Sequence, residues 1–131
     1  MIAIKVVTPR GRYLECDVMS IHCKSVEGEM TILPNHIPIF ASLVPCKLVL
    51  ESAKGVKEEY ALSGGLLQFD DNKSMILTDA IEGRDEIDIP RAEAALKRAQ
   101  ERLARRDSNT NMKRAEAALK RAVNRISVKG Y

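Results

Sequence analysis

A set of arginines in the last third of the chain has the residue type and spacing for binding chemistry. The phrase RAEAALKRA occurs at residues 91–99 and again at residues 114–122, so that each copy begins with one arginine and carries a second at its eighth position. Guanidinium groups bind phosphate through planar forks, and a cluster of them without counter-charge would repel itself. The pattern therefore indicates either an anion site or a solvated basic surface.

Each copy of the phrase also carries a narrow, alanine-rich stripe with the spacing of one helix face. The first stripe consists of Ala92, Ala95, Leu96, Ala99 and Leu103, and the second of Ala115, Ala118, Leu119, Ala122 and Ile126. Residues 107–111, DSNTN, have the composition of a loop with cap-forming side chains. The sequence therefore predicts an antiparallel helical hairpin folded about residue 108 or 109.

Such a hairpin would bring arginines from the two helices together. Arg91 would lie level with Arg125, and Arg98 with Arg121, so that four guanidinium groups could converge on one side. The alternative is that acidic residues one turn away neutralise a solvated basic face, through the spacings Glu93–Lys97, Glu101–Arg105 and Glu116–Lys120. Periodicity alone leaves both interpretations open.

The residues before the hairpin must form a different kind of structure. Nine short segments with the pattern of strands lie between residues 2 and 77, separated by turns such as Ser63-Gly64-Gly65 and Pro34-Asn35-His36. Many short strands at close spacing predict an all-β sandwich or barrel. The strand pattern ends near residue 83, so we predict a β-sandwich over residues 1–83 and a helical hairpin over residues 84–131, an α+β arrangement.

Charge divides the chain at the same place. Residues 1–83 carry 8 Lys+Arg and 11 Asp+Glu, net −3, whereas residues 84–131 carry 13 and 7, net +6. This asymmetry predicts different partners for the two parts. Cys16, Cys23 and Cys46 lack the spacing of metal ligands and indicate reduced thiols of a cytosolic protein. We see no signal peptide and no apolar run long enough to span a bilayer.

No pattern in the chain indicates a catalytic site or a metal site. His22 and His36 lack an accompanying serine or cysteine motif. Gly64-Gly65 is followed by two leucines and not by the lysine and hydroxyl residue of a Walker-type phosphate loop. We therefore expect a non-catalytic protein.

Several phrases resemble one known family over essentially the whole chain. Residues 28–38, GEMTILPNHIP, resemble the GE-x-x-ILP-x-H-x-P signature of the epsilon subunit of bacterial F-type ATP synthase. Ser63-Gly64-Gly65-Leu66-Leu67 resembles the family's SGG turn. Thr31 and Asn35 stand where glycine is common in the family, and Asn35 still permits a left-handed backbone.

The resemblance implies a central-stalk subunit that performs no catalysis itself. Its sandwich would grip the gamma subunit and rest on the c-ring through Glu29 and His36, while its helices would regulate the alpha and beta subunits of the catalytic head. The resemblance places such a subunit in ATP synthesis coupled to hydrogen ion transport, at the cytoplasmic face of the cell membrane, which it would contact only through the complex.

A second motif narrows the subgroup. Residues 87–92, IDIPRA, resemble the I/L-D-x-x-R-A motif of epsilon subunits that bind ATP, chiefly those of bacilli and their relatives. The match implies ATP as a regulatory ligand that is not hydrolysed, with no cofactor required. The ATP-binding residues that it implies are Glu82, Ile87, Asp88, Arg91, Ala92, Arg98, Arg121 and Arg125.

Two other functions remain as alternatives at this stage. A nucleic-acid-binding module could use the basic hairpin, but the hairpin lacks aromatic stacking residues and glutamates interrupt its basic face. A stand-alone ATP sensor would keep the motif without a rotary partner.

Overall fold

The computed structural model of the chain describes residues 1–105 and 112–129, which form a ten-stranded β-domain followed by two helices. The loop predicted at residues 107–111 lies outside the described residues. The strands are β1 (Ile2–Thr8), β2 (Gly11–Val18), β3 (Ser20–Ser25), β4 (Gly28–Ile32), β5 (Ile39–Leu43), β6 (Cys46–Glu51), β7 (Lys57–Leu62), β8 (Gly65–Asp70), β9 (Lys73–Leu77) and β10 (Ile81–Gly83). A single 3-10 turn, Arg84–Glu86, leads to α1 (Ile89–Arg105) and α2 (Met112–Lys129).

The strands are ordered β10-β7-β6-β3-β5-β8-β9-β1-β2, with β4 paired to β3 beside this path. The β1–β9 pair is parallel, and the other pairs are antiparallel. Alternate residues of the strands fill a core of aliphatic and cysteine side chains around Phe69. The prediction of an N-terminal β-sandwich followed by a two-helix hairpin is confirmed.

Two details of the predicted strands are wrong. The chain adds β10, which the sequence pattern missed because three residues are too few to show alternation, and this strand carries Glu82. The third predicted strand, which the sequence pattern places at residues 18–24, begins only at Ser20, because Val18 ends β2 opposite Ile2 and the chain bends at Met19.

The turn at Ser63-Gly64-Gly65 requires glycine for reasons of space. Gly65 has φ +138°, and a Cβ atom there would lie 2.0 Å from the carbonyl oxygen of Leu77 on the paired strand β9. The Thr78 hydroxyl donates a hydrogen bond of 2.6 Å to the carbonyl oxygen of Gly64. The two glycines therefore serve close packing of strand ends, as the interpretation of a strand-end turn predicted.

The two helices pack against each other along the predicted stripes. Four alanines of the stripes are buried at this seam, and they are Ala92, Ala99, Ala115 and Ala122. Helix α2 also lies against β6 and β7, so the hairpin is folded onto the side of the sandwich. Small side chains let the helix axes approach closely, and they leave little apolar area in the seam.

Candidate functional site

The start of α1 is fixed by Asp88. Its carboxylate oxygen Oδ1 accepts a hydrogen bond of 3.2 Å from the backbone N–H of Arg91, and its carbonyl oxygen accepts one of 3.0 Å from the N–H of Ala92. This is the geometry of a helix N-cap, in which a side chain satisfies a backbone donor that the helix leaves open. Asp88 therefore fixes the residue at which α1 begins, and with it the positions of the arginines along the helix.

Ile87 anchors the same segment from the other side. Its side chain is buried against Ala61 of β7 and Val128 of α2, with Ile89 partly buried beside them. This small cluster is separate from the core of the sandwich and joins three elements. Because it places the start of α1 beside the end of α2, it agrees with the register predicted for the hairpin.

Glu82 and Arg125 meet across the boundary between the two domains. The Oε1 atom of Glu82 on β10 lies 2.8 Å from Nε of Arg125 on α2. Both side chains are about two-thirds buried, with 31% and 28% of their surface exposed. The ion pair links the last strand of the sandwich to the hairpin.

Among the described residues, the other predicted arginines have no carboxylate partner at this distance. Within residues 1–105 and 112–129, no carboxylate lies within 4.0 Å of Arg91, Arg98 or Arg121. Arg91 and Arg98 are exposed, whereas Arg121 is partly buried and lines a narrow crevice with Arg125 between α2 and the end of β7.

Two of the three acidic–basic spacings predicted for a solvated helix face can be compared with the structure, and the side chain of Arg105 in the third, Glu101–Arg105, lies outside the described residues. In the described part of the chain, neither Glu93–Lys97 nor Glu116–Lys120 closes to an ion pair, although both have the spacing for one. The structure thus brings Asp88, Arg91 and Ala92 together at the start of α1, and it pairs Arg125 with Glu82 in an ion pair. It leaves Arg91, Arg98 and Arg121 as cations without a close carboxylate among the described residues.

Two residues that hold the hairpin in place were missed from the sequence. Asn124 donates from Nδ2 to the carbonyl oxygens of Cys46 at 2.7 Å and Leu62 at 3.3 Å. Lys129 donates from Nζ to the carbonyl oxygen of Arg84 at 3.1 Å. Asparagine is a poor helix former, and Asn124 lies three residues after Arg121 on one face of the helix. Such an unfavourable residue at this position was the one feature of the sequence that could have indicated a specific contact for Asn124.

The segment between the domains is held by a tyrosine. The Tyr13 hydroxyl donates to Oε1 of Glu86 in the 3-10 turn, and the same oxygen accepts from the N–H of Gly83 at 3.1 Å. Desolvation, followed by the hydrogen bond and the charge of Glu86, raises the pKa of Tyr13 to about 12. Its ring contacts that of Tyr60 edge-on, with 6.2 Å between the ring centroids. Tyr13 therefore helps to hold the segment before α1 in place.

Glu29 and His36, the two residues implied as c-ring contacts, lie before and after most of strand β4. Glu29 lies on β4, opposite Lys24 and next to the turn at Val26-Glu27. His36 follows the other end of β4, where Asn35 bonds to Asn72. Residues 30–32 of β4 and the turn at residues 33–35 lie between them along the chain. Asn35 has φ +67°, which confirms the left-handed turn.

The described residues contain no group of His, Cys, Asp and Glu side chains that could hold a metal ion. His22 shares a hydrogen bond of 2.7 Å with the Thr31 hydroxyl, and among the described residues no hydrogen bond joins His22 to a cysteine or serine side chain. Among these same residues, no helix has the length and apolarity needed to cross a membrane.

Two family models match this chain, and together they span nearly all of it. The beta-sandwich domain of the ATP synthase delta/epsilon chain matches residues 1–84, and the long alpha-helix domain of the same chain matches residues 85–130. The fold and the match define the class: the chain belongs to the delta/epsilon chain family of ATP synthases.

Within this family the similar proteins are bacterial epsilon chains. The ATP synthase epsilon chain of Halalkalibacterium halodurans is 41% identical over 128 residues, which cover 97% of this chain and 96% of that one. The epsilon chain of Clostridium novyi is 42% identical over 104 residues, 79% of each chain. The particular type is thus the epsilon subunit of a Bacillus-like bacterial ATP synthase.

Solved structures share the arrangement of strands and helices. A chain in the OSCP/F1/c-ring structure of Euglena gracilis mitochondrial ATP synthase superposes with a TM-score of 0.85 at 26% identity, covering 96% of this chain and 79% of that chain. A chain in the central stalk/c-ring structure of the Tetrahymena thermophila mitochondrial enzyme gives 0.67 at 17% identity over 98% and 96% of the two chains, which shows a common fold.

Proposed function

We propose that this chain is a central-stalk subunit of an F-type ATP synthase, which helps to couple rotation to ATP synthesis and restrains ATP hydrolysis through its hairpin. The observation that carries the proposal is the relationship to a bacterial epsilon chain over 97% of the sequence. The related mitochondrial chains come from F1/c-ring and central-stalk assemblies, which supports gamma and the c-ring as partners. The subunit is regulatory, and the catalytic sites belong to other subunits of the complex.

The exposed surface of the sandwich supports such partners. Several large apolar side chains are exposed on the β-domain, among them Val26, Leu33, Ile37 and Phe40. Exposed apolar side chains are a feature of surfaces that other proteins cover. As part of the proposed complex, the subunit would reach the membrane only through its partners, at the cytoplasmic face.

We further propose that the hairpin binds ATP as a regulatory ligand without hydrolysing it. Arg91, Arg98 and Arg121 supply positive charge that no described carboxylate neutralises at close range, and Arg125 can exchange Glu82 for a phosphate. Charge-assisted bonds between guanidinium and phosphate are among the stronger hydrogen bonds in proteins. The base would lie against the segment that Ile87 and Ala92 hold in place.

Binding would act by favouring the folded hairpin. In this conformation, phosphate would offset repulsion among the arginines on either side of the alanine seam. Without ATP the helices would separate from the sandwich, extend along gamma, and bring their basic faces to the alpha and beta subunits of the head. ATP shifts this equilibrium because it binds one of the two states better than the other.

Co-purification with gamma tests the subunit assignment. The intact chain and a truncation after Asp85, which keeps all ten described strands, should both bind gamma and support coupled synthesis. The truncated subunit should also release inhibition of ATP hydrolysis. Failure of the truncation to bind gamma would contradict the assignment of binding to the sandwich and control to the hairpin.

The contact with the c-ring needs its own test, because Glu29 and His36 lie at opposite ends of β4. We propose that the Glu29 end faces the polar loop of the c subunit. In assembled enzyme, Glu29→Cys should crosslink to that loop, and His36→Cys serves as the matched probe of the other end. If only position 36 crosslinks to the c subunit, the His36 end faces the c-ring and the proposed orientation is reversed. If position 29 crosslinks only to the catalytic head, the proposed contact between the Glu29 end and the c-ring is excluded.

A further inference from the structure

One asparagine joins the hairpin to the end of a strand pair. Asn124 is partly buried on α2, and its Nδ2 lies 2.7 Å from the carbonyl oxygen of Cys46 and 3.3 Å from that of Leu62. These two residues are direct partners at the end of the β6–β7 ladder. Since an amide NH₂ group has two hydrogens, one side chain can satisfy both carbonyl oxygens.

The rest of the docking face offers little apolar contact. Arg121, Asn124, Arg125 and Val128 follow the spacing of one helix face, and three of the four are polar. Helix α2 therefore gains a limited hydrophobic contribution from lying on the sandwich. Beside the small apolar cluster of Val128, Ile87 and Ala61, its position depends on directional polar contacts, namely those of Asn124, Arg125 and Lys129.

These contacts differ in how they would respond to a nucleotide. Arg125 and Glu82 belong to the proposed ATP site, so a bound phosphate would compete for their ion pair. The bond from Lys129 is exposed to water. The bonds from Asn124 are partly buried and involve no residue of the proposed site.

We infer that Asn124 is the positioning residue that seats the regulatory hairpin on the sandwich, independently of the nucleotide. The statement that the hairpin is regulatory rests on the proposed function. The contribution of Asn124 to docking can be measured without ATP. Removing the amide would leave two carbonyl oxygens beneath the helix without their donor. The loss of these two partly buried hydrogen bonds corresponds to a change of about tenfold in the ratio of docked to undocked hairpin.

A thiol placed under the hairpin reports this ratio directly. Ala61 on β7 is buried against Ile87 and Val128, outside the main core. In the full chain with Cys16→Ser, which removes the exposed native thiol, Ala61→Cys introduces a thiol that reagent reaches when the hairpin undocks. Its labelling rate is then proportional to the undocked population.

The inference predicts that Asn124→Ala accelerates labelling at position 61 about tenfold in nucleotide-free protein. Asn124→Asp should accelerate it at least as much, because a carboxylate would face two carbonyl oxygens. Ser127→Ala, an exposed position on the same helix, is the matched control and should not change the rate. Labelling of Cys23 in the sandwich core shows in each variant whether the β-domain remains folded.

Labelling of Asn124→Ala at the wild-type rate would overturn the inference, whatever ATP does. Acceleration at Cys23 by the same factor would also overturn it, since the effect would then be global unfolding. Saturating ATP should slow labelling at position 61 in wild type. If it does not, while Asn124→Ala still accelerates labelling, the proposed ATP switch fails and the seating role of Asn124 stands.

Discussion

The ion pair between Glu82 and Arg125 gives a prediction about how the two domains are held together. We consider Glu82→Gln and Arg125→Gln, singly and combined, measured by thiol labelling at position 61 as described above. The partners are 2.8 Å apart and about two-thirds buried, so their coupling should lie at the upper end of the range for surface pairs, about 1 kcal/mol. That energy corresponds to a factor of about five in the undocked population.

Each single substitution should therefore accelerate labelling several-fold, and the double substitution should do so by less than the product of the two. Lys47–Glu59, a looser pair at 4.0 Å on the neighbouring strands, is the control and should not affect docking. In saturating ATP the coupling should fall towards zero, because Arg125 would then bind phosphate. Fully independent effects of the two substitutions without nucleotide would refute the view that this pair holds the hairpin.

Three further predictions concern the β-domain. Gly65→Ala should lower the free energy of unfolding in urea by at least about 3 kcal/mol, because its Cβ atom would lie 2.0 Å from a backbone oxygen; Gly55→Ala, with positive φ but open space, should cost about 1 kcal/mol. Because folding raises the pKa of Tyr13 from 10.0 to about 12, the folded state holds this proton more tightly. The stability that it contributes should be full below pH 10 and lost as the pH rises towards 12, and urea unfolding of Tyr13→Phe should show a flatter dependence there. Native protein should react with a thiol reagent at Cys16, which is exposed, and not at Cys23, where burial raises the pKa to about 12.

Periodicity was sufficient to predict the architecture. The alternation of β-branched residues predicted a sandwich, and the alanine stripes predicted which helix faces are buried, because side-chain period and burial are local properties of a strand or helix. Asp88 as a helix cap was also predictable, since capping depends on neighbours in the chain. The short strand β10 was missed because its three residues are held by pairing with β7, a contact that is distant in sequence.

The contacts between the domains could not be read from local patterns. Asn124 reaches the carbonyl oxygen of Cys46, 78 residues away, and Tyr13 reaches Glu86, 73 residues away. Nothing in the sequence near either residue specifies such a partner. Glu29 and His36 belong to one motif, but residues 30–32 of β4 and the turn that follows lie between them, and the motif alone does not specify this placement.

Binding of ATP to the isolated full-length chain tests the central claim most directly. Isothermal titration should show one ATP bound per chain, and Arg91→Ala should weaken binding at least about tenfold, since it removes a charge-assisted bond to phosphate. Arg102→Ala, an exposed arginine of the same helix outside the proposed site, should bind as wild type does. Absence of binding to wild type at millimolar ATP, or equal affinity in Arg91→Ala and wild type, would contradict the account.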